Sequence, residues 1–353
     1  ISNKLINPDD TSKEYYDKLY SGIREGYDRS EHFWEIPQWV ALLAGNIPEL
    51  EFYVCENAGM TALVLSLDKP DWVCFSALEV NKAIIKNIAD QYGGDIAIGG
   101  YIDMTYFEDC PNVVPFDSIS EFLSEIGLPY RQIYDYRHFN GMKVIPRLQL
   151  SKGCLHHCSF CDVQPHGEVI SIPEEIIIAQ IKAFRDLNFK LIYIDDKTFG
   201  QDINHNLLPA LYRIVGQYNP HFLGFIVQTS ANQTLRFAAS FLRSAHIVYC
   251  EIGVESFNDD ILKIYHKPAN EKNIQDATDR LYRYGIQVIP NIIIGLPEET
   301  EETYSNTLNF LQTNTDVISH CNIYNLAVYA DTDLGKRLHV TENDQNENVL
   351  EKS

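Results

Sequence analysis

The chain has 353 residues, 45% of them hydrophobic, and carries 28 Lys and Arg against 49 Asp and Glu, for a net charge of −21. This length favours about two domains. The acidic balance, without a strong basic cluster, disfavours nucleic-acid binding and favours a small molecule, lipid or peptide as substrate. No apolar run is long enough to span a bilayer and no signal peptide is visible, so the clustered thiols predict a cytoplasmic protein.

The first part of the chain, residues 1–130, alternates apolar strands with amphipathic helices. This alternation predicts an α/β fold, here a doubly wound domain of the Rossmann type. A short strand is predicted at Lys4–Pro8, and an apolar helix begins after Pro37. The later segments are predicted as strands at 51–55, 71–76, 95–100 and 112–114 and as helices at 80–92 and 118–126.

Residues 131–143 are predicted to be a linker, and a second domain is predicted at 144–335. Strand and helix patterns repeat six times in that domain, beginning with the strand Val144–Leu150. Six repeats predict a partial (β/α)6 barrel of the TIM type, open on one side, with its site at the carboxyl ends of the strands. Residues 336–353 are polar and are predicted to be a disordered tail or a segment cut short of a further domain.

Three cysteines follow the first strand of the second domain: Cys154, Cys158 and Cys161. Thiolates this close in sequence can converge on one soft metal centre. On a four-iron cluster, three cysteines would leave one iron without a protein ligand, so that iron could hold a substrate or cofactor.

A structural zinc site is the alternative for this loop. One of the nearby histidines could supply the fourth ligand; the candidates are His156, His157 and His166. Zinc sites usually combine two separated pairs of ligands, however, and the other five cysteines are scattered singly along the chain. The spacing therefore favours an iron–sulfur centre.

The loop resembles that of the radical S-adenosylmethionine (radical SAM) superfamily, which has this cysteine spacing and often an aromatic residue before the third cysteine, as Phe160 is here. The resemblance implies a [4Fe-4S] cluster whose open iron is chelated by S-adenosylmethionine. It further implies a 5′-deoxyadenosyl radical that abstracts hydrogen from an unactivated carbon, and an electron donor such as flavodoxin or ferredoxin.

The first domain resembles the cobalamin-binding domain that precedes many radical SAM enzymes, in the segments Pro70–Ser76 and Ala97–Gly100. Where that family can carry an Asp-x-His-x-x-Gly motif, this chain has Cys55-Glu56-Asn57-Ala58-Gly59, so the histidine that would ligate cobalt is absent. Two interpretations stay open: a domain that binds cobalamin without this histidine, and a domain that kept the fold and lost the cofactor.

Glycines 99 and 100 slightly favour cobalamin, because glycine would let a large ring approach the backbone. Without a corrin, we expect the space to be filled by Met60, Leu78 and Tyr101.

Polar residues follow several strands of the second domain, and the resemblance gives each a role towards S-adenosylmethionine. Glu255 and Ser256 would lie near the ribose, because a carboxylate can accept hydrogen bonds from vicinal hydroxyls. The backbone from Ile293 through Gly295 to Leu296 would line the adenine.

Weaker assignments follow for the methionine part of S-adenosylmethionine. Asp195 and Asp196 would face the amino group and Lys267 the carboxylate, with Gln228 and Ser230 as further candidates. The structural alternative for each is a solvated turn or a helix cap.

The prediction is therefore a radical SAM enzyme acting on a small molecule or peptide. Cobalamin-dependent C-methylation is the leading reaction if a corrin binds. Radical rearrangement, cyclisation or epimerisation is the alternative if none binds, and a zinc-stabilised binding protein without catalytic activity is the remaining one.

Overall fold

The computed structural model describes residues 36–53, 55, 58–78, 81–100, 104–142, 144–163, 165–318 and 320–340. The strand predicted at Lys4–Pro8 and the residues from 341 onwards lie outside this part, as do Glu56, Asn57 and Tyr101. The chain divides into two compact units between Val144 and Ile145, with Asp186–Asn188 clustering with the first unit.

The first unit contains a parallel three-stranded sheet in the order β1-β2-β3. Its elements, in chain order, are helices α1 (Gln38–Asn46) and α2 (Ala58–Asp68), strand β1 (Trp72–Ala77), helix α3 (Lys82–Gln91), strands β2 (Asp95–Gly100) and β3 (Val113–Pro115), and helix α4 (Ile119–Glu125).

Strand β2 alternates its side chains between two apolar clusters. Ile96 and Ile98 pack with Ile85 of α3, whereas Ala97 packs with Leu43 of α1 and with α4. Helices therefore cover both faces of the sheet, which confirms the predicted doubly wound α/β domain.

The strand predicted at 51–55 is wrong at its described positions, because residues 51–53 and 55 lie in no strand. Phe52 instead packs its ring against Phe139, with centroids 5.2 Å apart, and the exposed Tyr53 donates a hydrogen bond to Asp68. Phe52 and Tyr53 have a high strand propensity, but their tertiary contacts decide their conformation here, because strand propensity depends strongly on context.

The second unit contains six parallel strands whose order in the sheet follows the chain. These strands are β4 (Arg147–Leu148), β7 (Leu191–Ile194), β8 (Gly224–Thr229), β9 (Ile247–Glu255), β10 (Gln287–Ile294) and β11 (Asn322–Asn325). Strands β5 (Ser151–Cys154) and β6 (Glu168–Ser171) form a separate antiparallel pair. The helices are α5 (Glu174–Ala183), α6 (Leu208–Gly216), α7 (Ala231–Arg236), α8 (Ala239–Ser244), α9 (Asp259–Ile264), α10 (Glu271–Arg283), α11 (Glu301–Thr313) and α12 (Asp333–Arg337).

The strand order of the six-stranded sheet determines where its helices lie. Right-handed crossovers between strands that advance in one direction place the connecting helices on one face. The register aligns Gln228 with Glu251, and Gly253 with Asn291 and Asn322, so these residues share one face of the sheet. The predicted parallel α/β architecture is confirmed, while the curvature of the sheet into a partial barrel stays a prediction.

Candidate cluster and cofactor site

The first cysteine of the predicted cluster loop ends strand β5. The Cys154 amide donates to Pro165 at 3.1 Å, and its carbonyl accepts from Gly167 at 2.8 Å. Gly153 has φ +84°, and a Cβ there would lie 2.4 Å from the Glu168 carbonyl oxygen. The β5–β6 pair was not predicted from the sequence, and it anchors one end of the loop.

All three cysteines are free thiols, with Cys154 buried and the other two partly buried. Burial raises the pKa of Cys158 to about 11, against the opposing effect of the Lys267 ammonium. Burial also raises the pKa of Cys161. These two thiols are protonated at neutral pH without a metal, and a metal cation would favour their thiolates.

Two of the histidines considered for zinc are engaged in the loop itself. His166 has Nδ1 3.2 Å from the His156 carbonyl and Nε2 3.1 Å from the Cys161 carbonyl. His156 has Nε2 3.0 Å from the Gln201 amide nitrogen. Among the described residues, no group of three or more His, Cys, Asp or Glu side chains is placed to hold a single metal ion. The two rings therefore stabilise the fold of the loop.

A cavity of about 210 Å³ opens beside Cys158 and Cys161. Its other lining residues come from the cysteine loop and from the segment around α12, and are His157, Asp162, His166, Asp331, Thr332, Asp333 and Lys336. The two cysteines are thus accessible from a polar cavity.

Two residues predicted to bind S-adenosylmethionine form a buried ion pair. Lys267 Nζ lies 2.6 Å from Glu255 Oε1, and the side chains are 11% and 12% exposed. A Cβ on Gly253 would lie 2.6 Å from both of these atoms, so the pair depends on glycine at this position. Burial alone would lower the pKa of Lys267, but attraction to Glu255 raises it overall.

The end of strand β9 is also strained and incompletely paired. Glu255 has φ +61°, which is uncommon for a residue with a side chain. Ser256 is 1% exposed, and its hydroxyl has no hydrogen-bond partner in the described part of the chain. Backbone strain and an unpaired buried hydroxyl at one strand end fit a site that a hydrogen-bonding ligand would complete.

The residues predicted near the adenine lie beside the cysteine loop. Ile293 and Leu296 belong to one apolar cluster, together with Phe160 of the loop. Gly295 has φ +83°, and its amide donates to Glu299 at 3.1 Å. Burial raises the pKa of Glu299. The structure therefore places the predicted adenine segment in contact with the loop.

Asp195 and Asp196 have partners within the protein. Asp196 is 3% exposed and accepts hydrogen bonds from the Leu150 amide at 2.7 Å and from the Ser151 amide and hydroxyl at 3.0 and 2.8 Å. Burial raises the pKa of Asp196 to about 6 despite these hydrogen bonds. Asp195 pairs with Arg147 at 2.9 Å. Asp196 thus stabilises the start of strand β5. The assignment of Asp195 and Asp196 to the methionine amino group stays a prediction.

The last two candidates are also engaged within the protein. The Ser230 hydroxyl caps helix α7, accepting from the Gln233 amide at 3.2 Å. Gln228 accepts from the Tyr193 hydroxyl at 3.4 Å through its side chain.

Sequence reasoning missed a network that supports the cysteine loop. The Tyr265 hydroxyl donates to Glu298, and Arg337 pairs with Glu298 at 3.1 Å. Tyr265 also contacts the loop, its ring centroid lying 6.1 Å from that of Phe160. No sequence pattern joins these residues, although Tyr265 lies close to Lys267 and Glu298 close to Leu296.

Comparison with known proteins identifies the domain around this site. Residues 148–311 match the family model of the radical SAM superfamily. This part of the chain is a radical SAM domain. The resemblance expected from the cysteine loop is therefore confirmed, and the chain carries a domain of an enzyme superfamily.

The sequence relatives include methylthiotransferases and a methylase. The chain is 22% identical over 219 residues to the ribosomal protein uS12 methylthiotransferase RimO of Burkholderia cenocepacia, covering 54% of this chain and 48% of that protein. It is 27% identical over 176 residues to the hopanoid C-2 methylase of Rhodopseudomonas palustris, covering 47% of this chain and 32% of that protein. The chain thus spans half or less of these relatives.

Solved structures with a similar fold include two radical SAM proteins. The methyltransferase TsrM from Kitasatospora setae, solved with cobalamin and a [4Fe-4S] cluster, gives a TM-score of 0.62 at 13% identity, covering 79% of this chain and 68% of that one. The cobalamin-dependent enzyme OxsB, with aqua-cobalamin and S-adenosylmethionine, gives 0.59 at 13% identity, covering 90% and 54%. These likenesses extend the fold assignment beyond the radical SAM domain. No helix in the described part of the chain is long and apolar enough to cross a membrane.

Proposed function

We propose that the protein is a radical SAM enzyme whose [4Fe-4S] cluster is held by Cys154, Cys158 and Cys161. The observation that carries this proposal is the position of these three free thiols on one loop of a radical SAM domain. The ion pair between Glu255 and Lys267 lies near the loop, because the Lys267 ammonium opposes the burial that raises the pKa of Cys158.

When bound, the cluster and S-adenosylmethionine supply a 5′-deoxyadenosyl radical that abstracts hydrogen from the substrate. The protein's residues bind and shield these groups. Glu255 and Ser256 are proposed to hold the ribose hydroxyls, and the apolar cluster around Leu296 to exclude water from the adenine. Lys267, held next to Glu255 in the structure, is proposed to bind the methionine carboxylate as a charged partner.

The leading reaction is proposed to be methyl transfer to an unactivated carbon with the help of cobalamin. Support comes from the fold likeness to TsrM and OxsB, both described with cobalamin, and from the relative named a methylase. Methylthiolation is a second candidate, because the relatives include a methylthiotransferase. A small molecule or peptide is the proposed substrate, a flavodoxin or ferredoxin the proposed electron donor, and the cytoplasm the proposed location.

A corrin in this proposal would find no histidine in the Cys55–Gly59 segment, where the cobalamin-binding family can carry one. The histidine among the described residues of the first unit is His138, whose ring lies 6.3 Å from that of Phe52. The fold itself requires glycine at position 100, because a Cβ there would lie 2.1 Å from the Ala77 carbonyl oxygen. A bound corrin is not needed to explain this residue. We therefore propose that a corrin would be held by backbone and apolar contacts alone.

Anaerobic reconstitution with iron, sulfide and hydroxocobalamin, followed by desalting, tests both parts. We expect about four iron per chain, cleavage of S-adenosylmethionine to 5′-deoxyadenosine, and about one equivalent of retained corrin. Colourless protein with one zinc and no iron would overturn the radical SAM proposal. Less than about a tenth of an equivalent of corrin at micromolar protein, with the cluster intact, would overturn the cobalamin part alone.

A further inference from the structure

Ser159 lies between two of the predicted cluster ligands and has a buried hydroxyl. The residue is 8% exposed, and its Oγ has no hydrogen-bond partner among the residues that the structure describes. Buried hydroxyls are nearly always paired, because leaving the donor unsatisfied loses the hydrogen bond that water would make. An unpaired donor in this loop therefore indicates a partner that the described residues do not supply.

The backbone of Ser159 is fixed from two sides. Its amide donates to the Tyr265 carbonyl at 3.1 Å, and its carbonyl accepts from the Leu334 amide at 2.7 Å. These contacts come from the end of α9 and from α12, which are far apart in the chain. Ser159, which directly follows Cys158 in the chain, is thus held in place with its hydroxyl buried.

Side-chain contacts stabilise both of these supporting segments. Arg337 of α12 lies 3.1 Å from Glu298, and its guanidinium carbon lies 5.3 Å from the centre of the Tyr265 ring. Since Glu298 also accepts from the Tyr265 hydroxyl, the segments that hold the Ser159 amide and carbonyl are tied to each other.

We propose that the Ser159 hydroxyl donates a hydrogen bond to a sulfur atom of the cluster and thereby raises the reduction potential of the cluster. This inference rests on the proposed function. Thiolate and sulfide sulfurs gain negative charge on reduction, and a hydrogen bond to such a sulfur favours the reduced state. Ser159 would then adjust the reduction potential of the cluster, and this role requires no contact with the reacting carbon.

The test compares the reconstituted wild-type protein with S159A, S159T and S159V, using iron and sulfide content and the midpoint potential of the cluster. Thr keeps the hydroxyl, and Val has the shape of Thr without it. We expect S159T to resemble the wild type. In S159A and S159V, we expect full iron content. We also expect the one-electron equilibrium to shift roughly three- to tenfold towards the oxidised cluster. At 59 mV per tenfold, this shift lowers the midpoint potential by about 30–60 mV.

A matched control is S305A, which removes an exposed serine hydroxyl that donates to the Glu301 carbonyl in helix α11. Its potential should equal that of the wild type. Equal potentials in S159T and S159V would overturn the inference, as would an unchanged potential in S159A. Loss of iron in S159A and S159V but not in S159T would support the role of the hydroxyl. A wild-type protein that takes up no iron would instead refute the proposed function.

Discussion

The two sheets of this protein differ in what lies on their faces and at their ends. The sheet of the first unit has helices and apolar clusters on both faces. The half-buried side-chain amide of Asn112 in this unit has partners, donating to the carbonyls of Tyr92 and Gly94 at 2.6 and 3.1 Å. The sheet of the second unit places polar residues on one face and a strained, charged segment at the end of β9.

This difference shows where the sequence departs from what folding alone requires. A buried ion pair, a residue with positive φ and an unpaired hydroxyl each reduce stability unless something compensates. All three lie within Glu255–Lys267 of the second unit. The comparison therefore favours the second unit as the location of the proposed chemistry, and each of the following predictions tests it.

The largest effect is expected from the cysteines. Replacing Cys154, Cys158 or Cys161 by Ala should remove most of the iron and the formation of 5′-deoxyadenosine, because each thiolate holds the same cluster and the losses should not add. Iron content and product analysis measure this. C321A, which removes a partly buried thiol of the second unit outside the loop, is the control and should keep both. A loop variant with full iron and full cleavage would remove that cysteine from the ligand set.

A substitution at Gly253 should damage the ion pair. In G253A, the new Cβ would lie 2.6 Å from Glu255 Oε1 and from Lys267 Nζ, so one of these side chains must move. We expect the affinity for S-adenosylmethionine to fall by about tenfold or more, measured by calorimetry on the reconstituted protein. G216A is the control, because a Cβ there would meet open space. Equal affinity in G253A and the wild type would place the ion pair outside the cofactor site.

The charge of Glu255 should also affect the binding of S-adenosylmethionine. Glu255→Gln keeps one acceptor and loses the charge, so S-adenosylmethionine binding should weaken by about 1.5–3 kcal/mol, the usual contribution of a hydrogen bond to a charged group. Iron content should not change. Glu301→Gln, at an exposed position in helix α11, is the matched control. An unchanged affinity by calorimetry would make Glu255 a structural residue.

The last prediction concerns Asp196 and the pH dependence of stability, not the binding of a cofactor. Its pKa is raised from 3.8 to about 6 in the folded protein, so the protonated form is favoured by folding. This contribution is fully present below about pH 4 and is lost as pH rises through about 6. Relative to D196N, the wild type should lose up to about 3 kcal/mol of local stability across that window.

Hydrogen exchange of peptides that cover β5 measures this loss in the second unit. The fluorescence of Trp39 and Trp72 reports on the first unit and should show no such difference. D279N, at an exposed position in α10, is the matched control. Parallel pH profiles for the wild type and D196N would show that the buried carboxyl does not titrate in this range.

The sequence by itself determined the fold class and the candidate cluster ligands, because both depend on short-range patterns. Three cysteines on one loop, separated by three and by two residues, need no distant partner to be recognised. Strand and helix repeats are likewise visible within windows of about ten to twenty residues.

Only the tertiary structure decided how the other candidates are used. Asp196 binds the entry to β5, Glu255 pairs with Lys267, and residues 51–53 pack without forming a strand. Ser159 is held by Tyr265 and Leu334, which no local pattern connects to it. The physical reason is that burial and hydrogen-bond partners depend on segments brought together by folding, whereas motif spacing depends on the chain alone.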